Sequence, residues 1–314
     1  MLGFIKRLRI VYSLYNFFHK GQLIHNLAFY RRHGIRKKYF SSVSSKDFIQ
    51  LKDMPSPAAG SMGGSLREST HFRALSPADQ ASLLAFPEQG YAILRNFYDD
   101  GTVEKANEAI ESLLRSGRIK FRQGGKIMFA FRQSPQLKAM GKDPRLNELL
   151  HILMGSEPLL FQSINFLQGS EQDTHSDSIH MTTFPLGRLI AVWIALEDIG
   201  TDNGPLHYYP GSHKLPYYLN SDYDNEGNSW LIGDKEYTAY EEMIREKIRE
   251  SGLPKQVFTA GKGDILIWHA NLCHGGEPHL NKERSRKSMV FHYFGKDAIC
   301  YHEITQRPAL LKPE

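Results

Sequence analysis

The chain is poor in cysteine, has no long apolar run, and carries no acidic residue before Asp47. Its two cysteines, Cys273 and Cys300, cannot build a disulfide framework, so a reducing cytoplasm is the expected compartment. No apolar run approaches the roughly 20 residues a membrane-spanning helix needs. Charged residues make up 23% and hydrophobic residues 41% of 314, which excludes a charge-driven disordered chain and suffices for one large core. No internal repeat is present.

The missing acid unmasks a basic arm. Ten cations, from Lys6 to Lys46, precede Asp47, and without them the net charge of +5 turns negative. The basicity therefore belongs to the arm, and no nucleic-acid partner is expected of the body. Leu2, Phe4, Ile5, Leu8, Ile10, Val11, Leu14 and Phe17 partly follow helical spacing among these cations. Three readings stay open: a helical appendage packed on the body, a peripheral contact with an anionic or membrane surface through residues 1–50, or a cleaved organellar targeting segment. The expected organisation is a basic helical appendage over 1–53 and a flexible linker over 54–76, rich in Pro, Gly and Ser. One domain over 77–314 follows, with a lid-like polar insertion at 215–251.

Elements in the body change type along the chain. Gly90–Phe97 reads as a strand, followed by a helix that Asp99 or Asp100 caps, and Leu146–Met154 as a second helix. From about 158 onward, short apolar segments alternate with Gly, Pro, Asn and Asp: 159–167, 188–196, 206–209, 257–259, 264–268 and 288–294. Many short strands with turn chemistry between them predict a sandwich or jelly roll. Tyr240–Arg249 reads as a helix within the insertion.

His175-Ser176-Asp177 carries the chemistry. Side chains two apart on an extended strand project to one side. His274 supplies a distant third group, and the set matches the 2-His-1-carboxylate facial triad of non-haem Fe(II) oxygenases. Each half lies at the end of a predicted strand, and Gly275-Gly276 is expected to let the chain turn after His274. Arg286, twelve positions on, suggests a carboxylate co-substrate. His180, at odd spacing, is expected to turn away; His269 is expected in the core, and His207 and Lys126 are weaker candidates for the pocket.

Further text joins these residues in order: Gln162-Ser163-Ile164-Asn165, Asp202-Asn203-Gly204-Pro205-Leu206, Pro210-Gly211-Ser212-His213, Gly261-Lys262-Gly263-Asp264 and Arg286-Lys287-Ser288. With them the chain from about 85 to 300 resembles the phytanoyl-CoA dioxygenase family of Fe(II)/2-oxoglutarate oxygenases and the related ectoine hydroxylases. The resemblance implies a mainly β fold with flanking helices around a double-stranded β-helix (jelly roll, cupin-like). It implies His175, Asp177 and His274 as catalytic iron ligands and Arg286, with Arg284 the competitor, as the anchor of 2-oxoglutarate. Gln162 and Trp193 would contact that co-substrate. The implied activity is hydroxylation of a C–H bond in a small-molecule substrate, consuming O2 and giving succinate and CO2, with ascorbate as an aid. Asp177 separates this from related halogenases, which lack the carboxylate. The alternative is a catalytically inactive jelly-roll binding or scaffold module recruited to anionic surfaces by its arm.

Overall fold

The structure, a computed structural model, describes residues 7–51 and 62–312. Twelve strands run in chain order: β1 Tyr91–Leu94, β2 Ile127–Met128, β3 Pro158–Phe166, β4 Thr182–Phe184, β5 Leu189–Ala195, β6 Leu206–Tyr208, β7 Gln256–Phe258, β8 Ile265–His269, β9 His274–Gly276, β10 Ser288–Gly295, β11 Ile299–His302 and β12 Arg307–Pro308. The major sheet has the order β1-β8-β5-β10-β3-β2, and two smaller sheets have the orders β7-β6-β9 and β12-β11-β4. All pairings are antiparallel.

Strand periodicity explains the layers. In β5, every residue of Leu-Ile-Ala-Val-Trp-Ile-Ala is buried, because both faces of the sheet are covered. Ile190, Val192 and Ile194 turn outward with Ile265, Ile267, Met289 and Phe291 and pack on helices that include Asp100–Arg115 and Pro144–Met154. Ala191, Trp193 and Ala195 turn inward with Leu266 and Trp268 and meet Leu206, Tyr208 and Phe258 of the small sheet. Two sheets thus enclose one apolar layer, the jelly-roll arrangement, with helices on the outer face of the larger.

One tight turn shows why its glycine is there. Gly263 has φ +87°, and a Cβ on it would lie 2.0 Å from the Tyr98 carbonyl oxygen. The same turn buries Asp264, whose carboxylate accepts the backbone N–H groups of Asn96 and Gly261 at 2.8 and 2.9 Å. This ties β1 to the start of β8.

The stretch read as a linker is largely not one. Residues 54–61 lie outside the described residues, but Met62–Glu68 and Thr70–Arg73 are helical. Leu66 and Phe72 bury in the main core, each contributing about 1.5–3 kcal/mol relative to exposure. Ser69 caps the second of these helices by accepting from the Phe72 N–H at 3.1 Å. Local Gly and Ser content suggested flexibility; long-range burial of two side chains decides otherwise.

The arm packs on the body over its described part. Phe48 stacks on Phe184 with ring centroids 4.4 Å apart, and Phe29, Tyr30 and Val43 complete that cluster. The helix Arg9–Phe18 begins where Arg9 N–H bonds Trp230 O and Ile232 N–H bonds Arg7 O, joining the arm to the insertion. No helix among the described residues is long and apolar enough to cross a membrane.

Candidate active site

His175 and His274 face each other across a two-bond antiparallel bridge, each backbone N–H donating to the other's carbonyl at 2.9 Å. Asp177 joins them because Ser176 is extended (φ −110°, ψ 149°) before the chain turns into a short 3-10 helix, Asp177–Ile179. One donor atom from each of the three groups lies within 4.8 Å of the others, and all three side chains are buried. The sequence suggested a regular strand under His175 and Asp177. The structure has a single bridge and one extended residue, which is enough for the two-residue spacing to work.

Glycine after His274 has a different purpose from the expected turn. His274, Gly275 and Gly276 form β9 and pair with β6. A Cβ on Gly275 would stand 2.6 Å from His207 Cε1 and 2.7 Å from Gln172 O, so the glycine permits close approach of the segment leading to His175.

Neighbouring groups orient the triad. The Nδ1 of His175 lies 2.8 Å from Asp173 O, and that of His274 lies 3.0 Å from Leu272 O. Each Nδ1 therefore donates to a carbonyl, which leaves Nε2 as the nitrogen able to serve as a ligand. Trp268 donates its indole N–H to Asp177 Oδ2 at 2.8 Å, and His292 Nε2 is 3.7 Å from the same oxygen. Burial would raise the Asp177 carboxyl, but the charges of His274, His292 and His175 outweigh it and hold the group well below the usual carboxylate range. Burial, followed by the charge of His274, pushes the His175 imidazole well below its ordinary value. The group thus presents two imidazoles and one carboxylate.

The triad opens on a cavity of about 250 Å³ between the sheets. Arg286, 1% exposed, lines it. Its Nε donates to Gly204 O at 2.9 Å and its Nη1 to Ser288 Oγ at 2.5 Å; among the described residues no carboxylate pairs with it. Burial pushes its guanidinium down to about 10. The guanidinium carbon sits 5.6 Å from the Trp193 ring, and the buried Trp193 Nε1, on the same cavity, has no acceptor among the described residues. Gln162 also lines the cavity, 3.4 Å from Met181 Sδ and 3.5 Å from His292 Nδ1. Arg284 lies elsewhere, in an ion pair with Asp202 at 2.6 Å.

Three cavity histidines escaped sequence reading. His180 was expected to turn away, but the 3-10 turn replaces strand periodicity after Asp177, and its ring lies 6.1 Å from that of His175. His292 shares the inward face of β10 with Ser288 and Val290, an even spacing from Arg286 that could have revealed it. His302 comes from β11 and had no local signal. His269 is half-buried beside His213 and does not line the cavity. His207 lies behind the triad, 2.8 Å from Thr174 Oγ1 and 2.7 Å from Glu277. Lys126 does line the cavity.

The insertion 215–251 contributes no lining residue to this cavity. Its helix, Tyr237–Ser251, instead braces the triad loop: Tyr240 OH lies 3.1 Å from Ser176 Oγ, and Arg245 pairs with Asp173 at 2.9 Å. It is a buttress where the sequence suggested a lid.

Known proteins are similar to this chain in sequence and in fold. A phytanoyl-CoA dioxygenase domain-containing protein 1 from Bos taurus is 32% identical over 120 residues, covering 38% of this chain and 37% of the relative. Its counterpart from Mus musculus is 34% identical over 125 residues, covering 39% and 38%. The matches span well under half of these relatives' length. Among solved structures, the non-heme alpha ketoglutarate dependent carbocyclase SnoK superposes with a TM-score of 0.62 at 17% identity, covering 78% of this chain and 96% of SnoK. EctD from S. alaskensis with bound Fe gives 0.53 at 21% identity, covering 70% and 78%. At such identities the likeness establishes the fold. The sequence profile of the family described as Phytanoyl-CoA dioxygenase (PhyH) matches residues 86–288, well over half of the chain, and the protein belongs to that family.

Proposed function

We propose that the protein is a non-haem Fe(II)/2-oxoglutarate-dependent dioxygenase that hydroxylates a C–H bond of a small-molecule substrate. The single observation that carries this reading is the pairing, in one buried cavity, of the His175–Asp177–His274 donor set with an unpaired Arg286. Two imidazoles and a carboxylate on one side suit a divalent iron and leave its other positions open. A buried guanidinium without a carboxylate is costly unless an anion arrives, and its planar fork matches a carboxylate.

The roles of the chain's own residues follow. His175, Asp177 and His274 would hold Fe(II), with Asp173 O and Leu272 O keeping both imidazoles in the required tautomer. Arg286 would pair with the distal carboxylate of 2-oxoglutarate, and the free Trp193 N–H and Gln162 would meet its oxygens. When bound, iron and 2-oxoglutarate together supply oxidative decarboxylation, giving succinate and CO2 and an oxidant for an inert C–H bond. Ile164, Phe166 and Val290 line the cavity and keep water from the reacting carbon.

Anaerobic addition of Fe(II) and 2-oxoglutarate is expected to produce the weak visible charge-transfer band of a chelated complex. Asp177→Ala should remove both the band and succinate formation. Wild-type protein that shows no band and retains no stoichiometric metal after anaerobic, reducing purification would instead favour the inactive jelly-roll module.

A second reading concerns the arm. Ile10, Leu14, Phe17 and Phe18 are exposed along one side of the arm helix, Phe18 by 78%, within a stretch of ten cations and no acid. Apolar side chains flanked by cations suit an anionic membrane surface. Flotation with vesicles containing phosphatidylserine should recover the wild type and lose Phe17→Ser/Phe18→Ser; equal recovery of both would exclude it.

A further inference from the structure

We propose that a second chamber beside the triad cavity holds a phosphoryl group of the substrate, and that the arm helix forms one of its walls. This rests on the oxygenase reading above, because it assigns the end of the substrate that does not react. The chamber has a volume of about 670 Å³ and shares Lys126, Met128, Gln162, His180, Met181 and His302 with the triad cavity. A ligand seated in it therefore abuts the triad through a common wall.

Its charge is one-sided. Arg122, Lys126, Arg132, Arg307 and Lys312 line it, and no Asp or Glu does. Among the described residues none of these five forms an ion pair. Elsewhere in the chain cations do find acids: Arg7 pairs with Asp234, Arg95 with Asp264, Arg188 with Asp297 and Lys296 with Glu157. Arg132 is held in place by Phe161 O at 2.9 Å and Leu310 O at 3.2 Å, with the Phe129 ring 4.3 Å from its guanidinium carbon. Lys126 donates to Gln172 Oε1 at 3.2 Å.

A second, independent observation comes from the arm. Asn16 is 1% exposed, lines the chamber, and has no partner among the described residues for either Nδ2 or Oδ1. It is also the only buried residue of its helix. An amide buried on a polar wall with both atoms unmatched awaits a ligand that accepts and donates. Lys126 and Arg132 are half-buried and form no ion pair among the described residues, an arrangement that a bound anion stabilises.

The cations and the volume select the ligand. Guanidinium forks suit the oxygens of a phosphoryl group. The chamber is far larger than one phosphate and falls in the range of about 300–1,000 Å³ typical of sites for organic ligands. The phosphoryl group would therefore be attached to a larger body whose far end reaches the triad. Both a lipid headgroup and a soluble phosphorylated metabolite offer this chemistry.

Isothermal titration of the metal-free full chain with inorganic pyrophosphate and with dihexanoyl phosphatidic acid tests the proposal; metal is left out because pyrophosphate chelates iron. Saturable binding of at least one probe is expected, and tighter binding of the lipid over pyrophosphate would point to a headgroup. Arg122→Gln/Arg307→Gln, both at exposed positions, should weaken binding about tenfold, and Asn16→Leu should weaken it too. Arg31→Gln/Arg32→Gln removes the same charge outside the chamber and should change nothing. No binding of either probe, or equal loss in that control, overturns the chamber. The anaerobic Fe(II)/2-oxoglutarate band reports on the oxygenase reading separately: a band without probe binding sinks only the chamber, and probe binding without a band sinks only the oxygenase.

Discussion

Trp268 donates its indole N–H to Oδ2 of Asp177 at 2.8 Å, both residues being buried. The bond orients the carboxylate toward the two imidazoles and leaves Oδ1 as the freer donor. Trp268→Phe keeps most of the apolar volume and removes only this donor. Affinity for Fe(II), or for Co(II) as a spectroscopic substitute, should fall roughly 10- to 100-fold. Unchanged titration curves in a folded variant would mean that the bond serves packing alone.

Arg286 offers a separable test of the co-substrate site. Its guanidinium forms no ion pair among the described residues, so its removal should cost binding more than folding. In Arg286→Gln the KM for 2-oxoglutarate should rise by roughly a hundredfold, about 2.7 kcal/mol. 2-Oxoglutarate should raise the Tm of the wild type and leave that of the variant unmoved. Arg284→Gln should behave as wild type in both respects.

Gly275 is crowded on the side of the triad. A methyl group there meets His207 and the Gln172 carbonyl at 2.6–2.7 Å. Gly275→Ala should destabilise the fold by about 1–3 kcal/mol in urea. It should also weaken metal binding, because the displaced segment leads directly into His175.

Two half-buried histidines make the fold acid-sensitive. Burial, aided by the charge of His213, pushes His269 down to about 3, and burial pushes His25 down to about 4. Both lie below the ordinary imidazole value of about 6.5. On acidification the unfolded chain therefore takes up protons first. Stability is complete above about pH 6.5 and declines toward pH 4, by up to about 1.4 kcal/mol per pH unit for each group. Urea midpoints measured from pH 7 to 4.5 should show this decline. His25→Phe, beside Phe294, should flatten it.

Much was legible locally. The alternation of β5 and β10, the Asp99 cap and the histidine–aspartate spacing are short-range patterns, set by strand period two and by backbone hydrogen bonding. The helices at 62–73 were missed because a Gly- and Ser-rich text reads as flexible until Leu66 and Phe72 find a core. His180 was misjudged because a 3-10 turn rotates the chain by a step that strand periodicity does not contain.

The amino-acid sequence by itself determined the family, the strand-rich core and the residue types able to hold iron, since these rest on ordered motifs and local periodicity. Only the tertiary structure decided which groups share a cavity. His302, Lys126 and Asn16 come from β11, from the segment before β2 and from the arm, and no spacing along the chain relates them. Their meeting depends on sheet register and on the arm packing against the body, which gathers cations that form no ion pair, and a buried asparagine without a partner, among the described residues.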